Sequence, residues 1–91
     1  MNSFKAIVHG KVQGVFFRDS TVKQAKKLDL TGWVKNMSNG TVSLLAEGKD
    51  NQLKLFKDWL QKGSPLSKVE KVELKWIENS EDPFSDFKIV F

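Results

Sequence analysis

Along the first ten residues the apolar positions come in a short mixed run, and Phe4-Lys5-Ala6-Ile7-Val8-His9 predicts a strand with one buried and one partly exposed face. From about residue 18 to 28 the period lengthens to that of a helix. Val22, Ala25 and Leu28 fall on one side, Asp19, Ser20 and Thr21 occupy the first turn, and Lys23, Lys26 and Lys27 come late. Acids early and lysines late complement the helix dipole. Residues 31–38 predict a second strand and residues 41–47 a third, in which Val42, Leu44 and Ala46 alternate against Thr41, Ser43, Leu45 and Glu47. Between them stands Asn39-Gly40, a strong hairpin signal because both residues tolerate positive φ.

A second helix is predicted over residues 51–62, with Asp50 as its cap and Leu53, Phe56 and Leu60 as an apolar stripe that Trp59 broadens. Gly63 and Pro65 stop it. Residues 69–77 alternate cleanly, Val72, Leu74 and Trp76 against Lys71, Glu73 and Lys75, which predicts a long half-buried strand. Residues 79–85, with Asp82-Pro83, read as a loop, and residues 86–91 as a last short strand with Phe87 and Ile89 on one face and Lys88 and Val90 on the other.

The order strand, helix, strand, strand, helix, strand, with a short strand appended, predicts an α+β fold. It is the ferredoxin-like split βαβ sandwich: an antiparallel sheet with two helices on one face. That architecture serves enzymes, RNA binders and metal chaperones alike, so the chemistry has to be sought in particular residues.

Composition narrows the search. Ninety-one residues suit one domain, 1–91, and a chain this short buries roughly 60 to 65% of its unfolded surface. Without cysteine there are no disulfides or thiolate metal sites, and one histidine makes no imidazole cluster. Chemistry is left to Arg, Lys, Asp, Glu, Asn, Ser and Thr. No apolar run approaches the ~20 residues of a membrane span, and the first residues do not resemble a signal peptide, so a cytoplasmic location is expected. The net charge of +4 favours anionic partners. Its lysines mostly alternate with Asp or Glu, the pattern of a solvated surface rather than a nucleic-acid stripe. A P-loop is excluded, because no Gly-Lys-Ser/Thr follows the glycine-bearing segment.

That segment carries the strongest chemical signal. Gly10-Lys11-Val12-Gln13-Gly14-Val15-Phe16-Phe17-Arg18 leaves a strand, turns twice on glycine and delivers an arginine to a helix start. Unpaired N–H groups and the positive end of the dipole make such a place an anion cradle. Arg18 adds a planar fork that matches phosphate oxygens. Gly32-Trp33-Val34-Lys35-Asn36 then offers an amide on a following strand, placed to hold a water against the anion. An isolated arginine at a helix start is more often a surface group, but Gln13-Gly14 just upstream favours function. Asn36 within a strand, rather than in a turn, must find partners for its amide. His9 at a strand end reads as structural or solvated. Trp33, Trp59 and Trp76 read as core or helix–sheet packing rather than a ligand cage.

These two motifs, with Gly40-Thr41-Val42 and Gly48, resemble the signature of the acylphosphatase family at its spacing, and the likeness extends to Trp59-Leu60 and Gly63-Ser64-Pro65. The resemblance implies hydrolysis of the carboxyl–phosphate bond of small acyl phosphates, with no metal, cofactor or covalent intermediate. It implies that Arg18 grips the phosphate, that backbone N–H groups of Gln13, Gly14, Val15, Phe16 and Phe17 line the cradle, and that Asn36 orients the attacking water. Acyl phosphates and inorganic phosphate are then the partners, with no nucleic acid or membrane, and a monomer is expected. Asp29 departs from the family pattern, standing where many relatives have glycine at the helix exit. Two other readings are a non-catalytic phosphate-sensing domain and an RNA-binding module. The RNA module calls for exposed aromatics on the first and third strands, and residues 41–47 contain none.

Overall fold

The computed structural model describes residues 2–77 and 86–91. The elements are β1 (Asn2–Lys11), α1 (Phe17–Lys27), β2 (Thr31–Asn36), β3 (Val42–Gly48), α2 (Asp50–Lys62), β4 (Lys68–Ile77) and β5 (Phe87–Val90). They follow the predicted order. The loop expected over residues 79–85 lies outside the described residues.

The sheet order is β4-β1-β3-β2-β5. Its first four strands are antiparallel throughout, whereas β5 pairs parallel with β2, so the sheet is mixed rather than wholly antiparallel. Strand direction explains the difference. β4 runs opposite to β1, and a strand that returns from it to the far edge of the sheet points the same way as β2.

The helices cover one face. Phe4, Ala6 and Val8 of β1, Val34 of β2 and Val42, Leu44 and Ala46 of β3 meet Ala25 of α1 and Leu53, Phe56 and Leu60 of α2, all buried. Aromatic rings tie the layers together: Phe17 stacks on Trp59 at 5.8 Å, Trp59 on Phe56 at 6.1 Å, and Phe56 on Phe4 at 6.1 Å. Trp76 meets Phe4 edge-on at 5.3 Å, yet remains 43% exposed because β4 is an edge strand. Trp33 departs from expectation. Val34 faces the core, so the alternation of β2 turns Trp33 to the helix-free face, opposite Leu45 on β3.

Local details are equally instructive. The β2–β3 hairpin closes through Met37 N to Thr41 O at 2.8 Å and Gly40 N to Met37 O at 3.2 Å. Only Gly40 takes positive φ; Asn39 serves through its side chain, whose Oδ1 accepts from Thr41 N and Thr41 Oγ1. Asp50 is not the cap of α2. Lys49 holds that position without a side-chain bond, and Asp50 is the first helical residue, accepting a hydrogen bond from Asn2 Nδ2. There its charge still favours the helix start. Helix α1 ends in a Schellman turn, Leu30 N to Ala25 O and Asp29 N to Lys26 O, with Asp29 left-handed at φ 57°.

Candidate active site

The β1–β3 ladder stops at Val8 opposite Val42, and β1 continues to Lys11 against β4 alone, with a register shift between His9 and Gly10. The chain then leaves the sheet. Val12, buried in the core, anchors the loop that follows. Gly14 at φ 73° and Phe16 at φ 60° are left-handed, and Val15 between them is not. Such alternation turns successive N–H groups toward one concavity, a nest suited to an anion. A Cβ on Gly14 would meet nothing in the protein, so its glycine serves backbone conformation rather than packing.

Phe16 is the residue preceding α1, and its carbonyl accepts from Ser20 N at 3.0 Å, which starts the helix. A left-handed phenylalanine is strained, and its ring is 70% exposed, so core packing does not impose the conformation. The strained residue stands at the cavity described below. Phe17 is buried against Trp59, and this fixes the start of α1 and places Arg18 beside the loop.

Asn36 reaches the same place from β2. Gly32, four residues earlier, allows β2 its close approach to β3: a Cβ there would stand 1.9 Å from the carbonyl oxygen of Leu45. The result is a cavity of about 300 Å³ lined chiefly by Gln13, Gly14, Phe16, Phe17, Arg18 and Asn36, with Val12 and Asp19 completing it. Of the sequence-predicted residues, Val15 alone does not line it; its side chain packs toward the core.

Two polar groups in this cavity are uncommitted. Arg18 has no ion pair or hydrogen bond to any described residue, and its guanidinium lies over the Phe91 ring, 5.4 Å from the centroid. Asp19, the next residue along, forms no ion pair with it among the described residues. Asn36 Oδ1 is buried and has no hydrogen-bond partner among the described residues. Buried polar atoms are normally satisfied, and this one has an acceptor left over at the cavity.

His9 lies elsewhere. Its Nε2 is 2.7 Å from Oε2 of Glu73, whose other oxygen is 3.7 Å from Lys71 Nζ. The bond from His9 and the charge of Lys71 hold the Glu73 carboxyl below the usual glutamate range. Among the described residues no three His, Cys, Asp or Glu side chains could hold a metal ion together, and no helix is long and apolar enough to cross a membrane.

Sequence reasoning missed two contacts. One is the Phe91 ring beneath Arg18. The other is the Gln13 side chain, whose Nε2 donates to Met37 O and Thr41 O, both at 2.8 Å. Neither has a local signal, because each joins segments far apart in the chain.

The family model described as Acylphosphatase matches residues 4–89. An acylphosphatase of Bacillus licheniformis is 46% identical over 92 residues, covering 100% of both chains. One from Coxiella burnetii (strain Dugway 5J108-111) is 46% identical over 84 residues, 92% of this chain and 86% of that protein. The crystal structure of acylphosphatase from Bacillus subtilis superposes with a TM-score of 0.95 at 41% identity, covering all of both chains. A family model that spans residues 4–89 and relatives 46% identical along all or most of their length leave one conclusion: the chain belongs to the acylphosphatase family of hydrolases.

Proposed function

We propose that the protein hydrolyses small acyl phosphates by direct attack of water on phosphorus, with Arg18 and the backbone N–H groups of residues 13–17 holding the phosphoryl group and Asn36 holding the water. The observation that carries this reading is the buried, unpartnered Oδ1 of Asn36 in the same cavity as the uncommitted Arg18.

In the reaction, the water oxygen bonds to phosphorus as the bond from phosphorus to the acyl oxygen breaks, and the carboxylate departs with that electron pair. Phosphoryl transfer through a loose transition state asks mainly for positioning and for stabilisation of spread negative charge. The guanidinium fork, the nest and the field at the start of α1 supply that charge. An acyl phosphate has a good leaving group, so no strong base is needed. Asn36 Oδ1 accepts a hydrogen bond from the water and aims it without removing a proton. The proton passes to a phosphate or carboxylate oxygen of the substrate.

The proposal takes residues 1–91 as one domain acting as a monomer in the cytoplasm, without a metal. The test is phosphate release from acetyl or benzoyl phosphate in the presence of EDTA, for wild type and Arg18→Ala. Full wild-type activity, competitive inhibition by inorganic phosphate and collapse in the variant are expected. Activity abolished by chelation would refute the metal-free chemistry, and unchanged turnover in Arg18→Ala the whole mechanism.

A further inference from the structure

We propose that the Gln13 side chain is a positioning residue, which ties the phosphate-holding loop to the β2–β3 hairpin and so sets Asn36 relative to the bound phosphoryl group. The inference rests on the function proposed above.

The groups assigned to the phosphate all come from one stretch, residues 13–18, and their arrangement is built into it. The left-handed residues 14 and 16 shape the nest, and Phe17 seats the helix start that carries Arg18. Asn36 belongs to a different element. The backbone links the two only through the ladder, where Val8 lies opposite Val42 and Val42 opposite Asn36: beyond Val8, residues 9–11 pair only with β4, and among the described residues no backbone hydrogen bond runs from residues 12–16 to residues 36–41.

Gln13 spans this gap. Its carboxamide nitrogen donates to the carbonyls of Met37 and Thr41, both at 2.8 Å. These residues are themselves joined, Met37 N to Thr41 O at 2.8 Å, and they follow directly on the last ladder pair of the hairpin, Asn36 opposite Val42. One side chain therefore grips both strands one residue beyond Asn36. Each proton of the NH₂ group has its own acceptor, which fixes the amide orientation and leaves that nitrogen no free donor for a ligand. The carboxamide acts on the reaction through Asn36. An in-line attack is sensitive to such placement, since an error of about 1 Å in a reacting group can cost about a hundredfold in rate.

Two variants and one background test this. Gln13→Met keeps the length of the side chain and removes both donors, and Gln13→Glu sets a carboxylate against two carbonyl oxygens. In both, kcat for acetyl phosphate should fall by at least about tenfold. In Gln13→Met, which adds no charge, the inhibition constant of inorganic phosphate should stay within about threefold of wild type, because the cradle is shaped by its own segment. Retained phosphate inhibition also reports that the site is folded. In an Asn36→Ala background, Gln13→Met should lower the residual kcat by less than about twofold, as expected of coupled residues.

A wild-type kcat in Gln13→Met beside an inactive Asn36→Ala overturns the tether alone. So does a parallel loss of kcat and phosphate inhibition, which would make Gln13 a support for the loop only, and so does an undiminished effect in the Asn36→Ala background. Unchanged turnover in Asn36→Ala overturns the proposed function and the tether with it.

Discussion

The guanidinium of Arg18 rests over the ring of Phe91, 5.4 Å from its centroid. The ring is 93% exposed, so the contact is a weak one, of the order of 0.5–1 kcal/mol for a cation–π pair in water. Its value lies in what it leaves open. A carboxylate partner would occupy the hydrogen-bonding edge of the guanidinium, whereas a ring face restrains the plane and keeps all five N–H donors free for a phosphate.

That freedom leads to the first expectation. Arg18→Ala should lower the rate of acyl phosphate hydrolysis by about 10²- to 10³-fold, the usual effect of removing one donor from a transition state. Arg18→Lys should recover little, because a point charge lacks the fork. Steady-state phosphate release measures both, and near wild-type turnover in the lysine variant would contradict the bidentate grip.

Asn36 makes the opposite kind of contribution to stability. Its Oδ1 is buried without a partner, so Asn36→Ala deletes an unsatisfied acceptor rather than a bond. Activity should fall by about 10²- to 10³-fold while the thermal midpoint holds or rises. A clear drop in the midpoint would mean that the amide is structural.

Asp29 stands at φ 57° in the Schellman turn that ends α1. Glycine adopts that conformation without a Cβ penalty, so Asp29→Gly should stabilise the fold by about 0.5–1 kcal/mol. Asp29 does not line the cavity, and activity should be unchanged. Urea unfolding with an unaltered slope is the measurement.

The pH dependence of stability can be signed at Glu73. Its carboxyl is held below the ordinary value near 4.5, first by the bond from His9 and then by Lys71. A lowered carboxylate value means that the pair helps the folded state above the ordinary value, and that this help is lost as pH falls below it through the folded value. Glu73→Gln should therefore flatten the acid side of a plot of thermal midpoint against pH, below about pH 4.5. Because Glu73 is solvent-exposed, the change should be small and weaken with salt. An identical acid limb in the variant would show the pair to be without weight.

Much of the site was legible before the fold was known, and the reason is proximity along the chain. Gly14, Phe16, Phe17 and Arg18 form one continuous stretch whose glycine, helix start and cation can be read together. The elements were equally readable where one face is apolar, as for Val42, Leu44 and Ala46. Trp33 was not. In Gly32-Trp33-Val34 both large residues are apolar, so alternation does not say which faces the helices, and only Val34 does. Asp50 misled for a related reason: acids suit both the cap and the first turn of a helix, and backbone geometry put it in the turn.

The amino-acid order by itself determined the succession of strands and helices, the hairpin at Gly40 and the glycine-turned loop that brings Arg18 to the start of α1, because periodicity, turn chemistry and backbone hand act over a few residues. Tertiary structure alone decided that β5 lies parallel beside β2, that Phe91 underlies Arg18, and that Gln13 reaches Met37 and Thr41. Each of these depends on where separate segments come to rest after the core closes. Local sequence rules carry no information about distances across that closure.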